Sequence, residues 1–443
     1  MKMKRMVLSL LAAGMATGIA AGSPDTFPDC ASVPFTARGG LPNFAAKANA
    51  GKPVTVVYFG GSITEQNGWR LQSAELLRKF LPNARLKTVN AAIGGTGSDL
   101  GAFRLNYDVL RHKPDLVFVE FAVNDHGANA DRIHNAIEGI VRQIRKAYPE
   151  CDICFVYTVT TANLKFYQKG VLPPSAAVME KIAEHYRLPT VNISYEVAQL
   201  EKEGKLIMAG KPGGMTRVSG DELNAKSDLP KNAEGKIVFS GDGVHPYPDT
   251  GHRIYTAMLE KALPVLLKTG KTGVAELPSP MLASNWENTT AVALDAPEIK
   301  LSGPAKQLPG TNSIARRFAG RMPKLWKLEP GSVIEFKFKG TKAMLYDLYG
   351  PDTPFYEIEV DGKARETRRF DGYCTYHRLA LCGIADKLPD TVHTVKITVL
   401  PKKIDRRAVL FERNRADFDK NPDKYAPLNG YAGQLFLVGE LVE

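Results

Sequence analysis

The sequence has few cysteines, five in 443 residues, and this number limits what they can do. An odd count excludes complete pairing within the chain. Cys374 and Cys382 could form a local bridge in an oxidising compartment. The Cys151-x-x-Cys154 spacing has no second pair with it, and Cys154 lies within the apolar run Ile153–Tyr157. We therefore interpret the cysteines mainly as buried thiols rather than as a zinc or redox site.

Long apolar runs are also missing after about residue 22, so no later segment is predicted to cross a bilayer. The first residues, Met1–Arg5, are basic and lead into an apolar stretch that ends at about Ala21. Small residues precede Ser23. This layout is typical of a secretory signal peptide cleaved near Gly22, and the alternative is an uncleaved anchor. We expect residues 1–22 to be removed and the mature protein to be exported to the periplasm, the cell surface or the medium.

Three further absences narrow the possible functions. We find no nucleic-acid-binding motif, no internal repeat, and no His/Asp/Cys set with metal-ligand spacing, so we expect neither a nucleic-acid partner nor a metal or other cofactor. Loss of the signal peptide would lower the net charge from +11 to about +8, which is typical of a solvated Lys-rich surface. An apolar content of 44% indicates a soluble globular protein, and the length favours two domains.

The first half of the chain alternates apolar runs with amphipathic stretches, which predicts a parallel sheet with helices on both faces. The predicted strands are Val54–Phe59, Leu86–Asn90, Leu116–Val123, Ile153–Thr158 and, more weakly, Leu188–Ile193. The predicted helices are Trp69–Phe80, Ala130–Tyr148, Pro174–Tyr186 and Asp249–Leu267, the last with Asp249 as its N-cap. Residues 23–275 are thus expected to form a three-layer α/β/α, flavodoxin-like domain.

Two segments of this half lack such periodicity. Thr161–Pro174 is predicted to be a loop between a strand and a helix. Glu201–Ile237 is long and rich in Gly and Lys, and loops of that length in compact domains are usually functional or mobile. We interpret it as a candidate substrate-facing flap.

The second half shows a different pattern. Val333–Lys339, Phe355–Val360 and Val392–Leu400 alternate apolar and polar residues with a period of two, and Gln434–Val442 is predicted to be the last strand. Asp361-Gly362 is a hairpin signal. Residues 290–443 are therefore predicted to form an all-β sandwich, with the domain boundary at roughly 270–295.

Candidate catalytic residues lie at two distant points along the sequence. Ser62 follows a predicted strand and the two glycines 60 and 61, which allow a tight turn. A serine hydroxyl needs a base, and among the eight histidines His245 has Asp242 three residues before it. The carboxylate could orient the imidazole while the other ring nitrogen faces Ser62. An isolated Asp-x-x-His is otherwise only a surface turn.

Oxyanion donors are predicted at the same edge of the sheet. Asn90–Gly97 follows the second strand and Asn124 closes the third, so the backbone N–H of Gly95 and the side-chain amide of Asn124 could join the Ser62 N–H. Gly94 or Gly97 could take the place of Gly95. Individually, the glycines could serve turn geometry and Asn124 could cap a strand.

Four ordered motifs make residues 50–270 resemble the SGNH hydrolase superfamily of GDSL-type esterases. They are Gly60-Gly61-Ser62, the Asn90–Gly95 spacing, Ala122-Val123-Asn124-Asp125 and Asp242-x-x-His245. The resemblance implies Ser62 as nucleophile, His245 as base, Asp242 as its orienting partner, and Gly95 and Asn124 as oxyanion donors. Ala122 departs from the family's glycine and could crowd the floor of the site. The β half resembles, more loosely, the accessory sandwiches of secreted carbohydrate esterases.

The expected substrate is an O-acetylated glycan or oligosaccharide. Trp69 could stack on a sugar, or could be a core residue at a helix start, and Arg70 and Arg104 could meet a carboxylated sugar, or could lie on solvated helix faces. Two alternatives remain: acyl transfer to a glycan acceptor, and a non-catalytic glycan-binding module with a relic site. The sequence does not indicate an oligomeric state.

Overall fold

A computed structural model describes residues 27–211 and 229–443. The predicted signal peptide and the central part of the predicted flap lie outside the described residues. The first domain contains a six-stranded sheet in the spatial order β1-β6-β5-β4-β2-β3. Its strands are β1 (Phe35–Thr36), β2 (Pro53–Gly60), β3 (Arg85–Asn90), β4 (Leu116–Glu120), β5 (Asp152–Val156) and β6 (Thr190–Val191). All neighbours are parallel except β1, which pairs antiparallel with β6.

Two groups of helices cover this sheet, in the α/β/α layering expected for buried parallel strands. In one group α4 packs on α5 and α5 on α7, and in the other α9 packs on α3 and α8. The helices are α1 (Pro42–Asn49), α2 (Ser62–Glu65), α3 (Trp69–Phe80), α4 (Ser98–Asp108), α5 (Ala130–Ala147), α6 (Thr161–Gln168), α7 (Pro174–His185), α8 (Tyr195–Lys202) and α9 (Gly251–Leu266). A short 3-10 helix covers Leu110–His112. A separate parallel pair joins β7 (Leu206–Ala209), which lies inside the predicted flap Glu201–Ile237, to β8 (Ile237–Ser240), which begins at the last residue of that segment.

Local sequence accounts for the elements that position the site. All five residues of β4 are buried, as its continuous apolar run predicts. Helix α5 buries its isoleucines on one face, and its N-cap Asn129 accepts a hydrogen bond from the N–H of Arg132 at 2.8 Å. In the sheet β2 lies between β3 and β4. The chain therefore passes from β2 to β3 on one side and then returns past β2 to β4 on the other side. Ligands in open α/β sheets bind at such a switch point, outside the carboxyl ends of the strands.

Two predictions about this domain are wrong. Thr161–Pro174 is not wholly a loop, because α6 occupies Thr161–Gln168. Helix α9 is capped not by Asp249 but by Thr250, and no side chain accepts a capping hydrogen bond there. The first error is a missed short helix, and the second is a shift of one residue at a helix start. The five cysteines, all within the described residues, are buried and unpaired, so no bridge joins Cys374 and Cys382.

The second domain is antiparallel and all-β. Its strands are β9 (Thr289–Ala293), β10 (Lys300–Ser302), β11 (Ala305–Gln307), β12 (Trp326–Leu328), β13 (Val333–Tyr349), β14 (Phe355–Val360), β15 (Lys363–Arg368), β16 (Arg378–Ala385), β17 (Thr391–Leu400) and β18 (Gly430–Val442). Strand β13 pairs with β17 in its first half and with β16 in its second. The pairing of β13 with β18 shifts register at Gly340, and residues from both halves of β13 share one apolar cluster with β17 and β18.

Turns and short helices complete this domain. Asp361 and Gly362 form the predicted two-residue hairpin between β14 and β15, with positive φ angles of 49° and 77°. The short helices are α10 (Ser313–Phe318), α11 (Arg406–Val409), α12 (Arg415–Lys420) and α13 (Pro422–Tyr425), and a 3-10 helix covers Glu412–Asn414. The all-β character of this half is confirmed.

The two domains pack through aromatic side chains and one buried ion-pair chain. Phe103 of α4 stacks on Phe436 of β18, with ring centroids 5.4 Å apart, and also contacts Trp286. Arg321 reaches across from the second domain to Asp108, with 2.6 Å between Nη1 and Oδ1. Through these contacts the second domain lies against the middle and the C-terminal end of α4.

Candidate active site

Ser62 begins the short helix α2 directly after β2. The turn before it requires glycine: a Cβ on Gly61 would lie 1.8 Å from Oδ1 of Asn124, and one on Gly60 would lie 2.4 Å from the carbonyl oxygen of Glu120. As the first residue of a helix, Ser62 has an N–H without an intrahelical partner. The turn therefore presents the hydroxyl at the carboxyl edge of the sheet, together with an N–H that donates to no other described residue.

His245 is held on a turn between β8 and α9. Asp242 shapes this turn, because its Oδ1 accepts hydrogen bonds from the N–H groups of Val244 and His245 at 2.9 and 2.8 Å. Gly243, with φ of +79°, takes the left-handed conformation that the turn requires. The N–H of Gly243 donates to the hydroxyl of Ser240 at 2.7 Å, which anchors the turn to β8.

The structure brings Ser62, His245 and Asp242 together in one hydrogen-bonded chain. Oγ of Ser62 is 2.8 Å from Nε2 of His245, and Nδ1 of His245 is 2.7 Å from Oδ2 of Asp242. Their order fits proton transfer from hydroxyl to ring, with the carboxylate orienting the ring. The three side chains that sequence analysis selected from points 180 residues apart are thus in direct contact.

Asp242 is well placed to remain ionised. Its partial burial tends to raise the pKa of its carboxyl, but the hydrogen bonds from the His245 ring and from the backbone N–H groups of His245 and Val244 outweigh burial and hold the pKa below its ordinary value. The side chains of Asp242 and His245 are 53% and 37% exposed, so the pair opens to solvent and substrate.

The loop after β3 offers its donor at Gly95. A Cβ on Gly94 would lie 3.5 Å from Cβ of Ser62, so this loop adjoins the serine. The N–H of Gly94 already donates to Oε2 of Glu65 at 2.9 Å, and Gly97 packs against Asp125. Across residues 27–211 and 229–443 the N–H of Gly95 donates no hydrogen bond. These contacts favour Gly95 over its two neighbours.

Asn124 adjoins the same turn from the end of β4. Its Oδ1 is buried beside Gly61, and in the described part of the chain its Nδ2 donates to no protein group. Ala122, where the family has glycine, is buried, and its carbonyl accepts a hydrogen bond from Ser175 at 2.5 Å. Ala122 thus lies in the core and does not crowd the site.

Two predicted substrate contacts, Trp69 and Arg70, are wrong. Trp69 is completely buried and packs edge-on against Tyr58 and Phe118, so its ring is unavailable to a sugar. Arg70 is also buried and donates to the carbonyl of Thr64 at 3.2 Å. Its guanidinium supports the helix that follows Ser62 rather than facing solvent.

Arg104 is likewise structural. It is buried, pairs with Asp108 at 2.9 Å, and donates to the carbonyl oxygens of Ala91 and Gly60. Burial lowers the pKa of its guanidinium, and Asp108 opposes that shift. Arg104 therefore clamps the ends of β2 and β3 beneath the site. Sequence analysis placed it on a helix but could not show that the helix points it inward.

A cleft of about 380 Å³ extends from the oxyanion candidates towards the second domain. One wall carries Gly95 and Asn124, and the other carries Leu379–Leu381 of β16. Polar side chains, among them His126 and Arg132, line it between these walls. This wall could not be predicted, because no local sequence pattern shows which strand of the second domain faces the first.

Within the described ranges, no group of three or more His, Cys, Asp or Glu side chains is arranged to hold a metal ion. No helix there combines the length and apolar character needed to span a bilayer.

One protein family and several solved structures match this chain. Residues 58–221 match the GDSL-like lipase/acylhydrolase family. No curated protein matches the chain. Among solved structures, a two-domain esterase active on acetylated mannans, co-crystallised with mannopentaose, shares 20% identity, covers 92% of this chain and 97% of its own, and has a TM-score of 0.66.

A second structure of a two-domain esterase active on acetylated mannans covers 91% of this chain and 98% of its own, at 20% identity and a TM-score of 0.65. At this identity the likeness shows a shared two-domain fold. The family match adds the chemistry: the α/β domain belongs to the GDSL-like lipase/acylhydrolase family of the SGNH superfamily, and the chain is a carboxylic ester hydrolase.

Proposed function

We propose that this chain removes acetyl or other short acyl groups from a carbohydrate, with Ser62 as nucleophile. The observation that carries the proposal is the 2.8 Å contact between Oγ of Ser62 and Nε2 of His245, beside the Gly95 N–H and the Asn124 side-chain amide, which donate to no other group among the described residues. A hydroxyl next to a base and a set of N–H donors is the arrangement that acyl transfer needs.

The proposed reaction has two halves. Oγ of Ser62 bonds to the carbonyl carbon of the ester while its proton passes to Nε2 of His245, and the N–H donors of Ser62, Gly95 and Asn124 stabilise the oxyanion. The bond from the carbonyl carbon to the sugar oxygen then breaks, and His245 returns the proton to that oxygen. Water repeats the sequence, releasing the acid and restoring Ser62.

The cleft supports a carbohydrate substrate. It is open, polar along its floor, and bounded by both domains, which suits a sugar chain better than a buried acyl tail. The similar two-domain esterase is active on acetylated mannans. We therefore include acetylated mannan among the first substrates to test, with acetylated xylan and other acetylated glycans beside it.

The test compares acetate release by the wild-type protein, Ser62→Ala and a matched Ser302→Ala variant from the second domain. We expect Ser62→Ala to reduce kcat by at least about 10⁴-fold and Ser302→Ala to have no effect. A fluorophosphonate should label Ser62 in the wild type. Unchanged acetate release by Ser62→Ala would refute the proposal, and acyl transfer to added acceptor sugars in place of acetate release would make the chain a transferase.

A further inference from the structure

Glu120, the last residue of β4, is a buried carboxyl without a cationic partner. It has no exposed surface. In the part of the chain that the structure describes, no Lys, Arg or His lies within ion-pair distance of it. Burying an unpaired carboxyl costs free energy, so other contacts must compensate for it at this carboxyl edge of the sheet, beside Ser62.

The first set of contacts joins Glu120 to the turn that carries Ser62, here called the nucleophile turn. Its Oε2 accepts a hydrogen bond from the Thr64 hydroxyl at 2.8 Å, and the nearby backbone of Gly61 lowers the pKa of the carboxyl. Gly61 immediately precedes Ser62, and Thr64 lies two residues after it. The carboxyl therefore adjoins the turn on both sides of the serine and is hydrogen-bonded to it through Thr64.

The second set leads to the histidine. Oε1 of Glu120 accepts from the Thr158 hydroxyl at 2.7 Å, on the loop after β5. Three residues later, the N–H and hydroxyl of Thr161 both donate to the carbonyl of Gly243, at 2.9 and 3.2 Å. Gly243 lies between Asp242 and His245. A continuous path of hydrogen bonds and short backbone segments thus joins the two halves of the Ser62–His245 contact.

We propose that Glu120 is a positioning residue that sets the approach of Ser62 to His245 by holding the nucleophile turn and the Thr158–Thr161 loop at once. This rests on the proposed function of Ser62. A carboxylate suits the task because it accepts at both oxygens and forms stronger hydrogen bonds than a neutral group. Misplacement of reacting groups by about 1 Å costs roughly 10²-fold in rate.

The protonation state of Glu120 matters for this role. Burial raises the pKa of Glu120 to about 7, against the hydroxyls of Thr158 and Thr64, which lower it. The other ionisable groups that act on it are Asp125, Tyr167 and Tyr255. Above pH 7 the carboxylate accepts at both oxygens, whereas its protonated form must donate from one of them.

The test uses Glu120→Gln, Thr158→Val and a matched control, Asp152→Asn. Asp152 is also a buried carboxyl with its pKa raised to about 7 by burial, but it lies at the amino edge of the sheet, where it accepts from the N–H of Phe44. For each full-length variant we would measure kcat and KM for 4-nitrophenyl acetate from pH 5.5 to 8.5, the melting temperature, and the rate of fluorophosphonate labelling.

We expect Glu120→Gln to lower kcat and the labelling rate by roughly 10- to 100-fold at pH 8 with little change in KM. The ratio to wild type should shrink at pH 5.5, where Glu120 is itself protonated. Thr158→Val keeps the Glu120 carboxyl but removes its hydrogen bond to the Thr158 hydroxyl, so it should lower kcat several-fold. Asp152→Asn should keep the wild-type kcat.

The proposal is overturned if folded Glu120→Gln retains wild-type kcat across this pH range, or if Asp152→Asn loses as much. Should Glu120→Gln fail to fold, an unchanged kcat in Thr158→Val would overturn it. Failure of the proposed function looks different, since the wild-type protein itself would then show no labelling at Ser62.

Discussion

Each domain contains an aspartate–histidine pair that is joined through Nδ1 of the ring, and the two pairs have the same internal geometry. Nδ1 of His245 lies 2.7 Å from Asp242, and Nδ1 of His393 lies 2.7 Å from Asp361. The two carboxylates are similarly exposed, at 53% and 45%. The pair alone therefore does not define a catalytic site.

The difference lies at the second ring nitrogen. Nε2 of His245 faces the hydroxyl of Ser62, which can give up a proton, whereas Nε2 of His393 is 2.9 Å from the carbonyl of Pro389, which can only accept. The Pro389 carbonyl raises the pKa of His393, burial opposes the shift, and Asp361 adds to it. One pair is arranged to move a proton, and the other to keep one.

The largest expected effect on kcat comes from replacing the aspartate of each pair by asparagine, one pair at a time. Asp242→Asn should lower kcat for 4-nitrophenyl acetate by roughly 10³- to 10⁴-fold, because an amide does not stabilise the imidazolium or hold its tautomer. Asp361→Asn should leave kcat unchanged. Equal losses in the two variants would show that the second domain's pair also serves the reaction.

A smaller loss of kcat is expected when an oxyanion donor beside the Asp242–His245 pair is removed. Asn124→Ala should reduce kcat by roughly 10²- to 10³-fold, which corresponds to about 2.7–4 kcal/mol of transition-state stabilisation, with KM little changed. The control is Asn429→Ala, since Asn429 donates to Asp352 in the second domain and should not affect kcat. A rise in KM with kcat unchanged would instead assign Asn124 to substrate binding.

The smallest effect concerns the pH dependence of stability. Because the pKa of His393 is raised in the folded state, its stabilisation is fully present below the unfolded pKa of about 6.5 and is lost as pH rises through the folded value. His393→Gln should therefore lower the melting temperature by roughly a few degrees at pH 5.5 and less at pH 8.5. A deficit that does not change with pH would mean that packing, not charge, explains it.

Periodicity predicted much of the fold and the catalytic edge. The helix Trp69–Phe80 and the strand Phe355–Val360 have the predicted limits, because their apolar spacing is regular and their ends carry turn residues. Helix α6 was missed because its eight residues show little amphipathic contrast. Ser62, His245 and Asp242 were found because each stands in a short motif at the end of a predicted element.

The succession of strands along the chain and the residue types at their ends were determined by the sequence alone, since alternating apolar runs and glycine turns are local properties. Only the tertiary structure decided that Trp69 and Arg104 face inward, that Glu120 joins the serine and histidine turns, and that Leu379–Leu381 close the cleft. These are choices of partner between segments far apart in the chain. They depend on packing and desolvation in three dimensions, which local pattern does not encode.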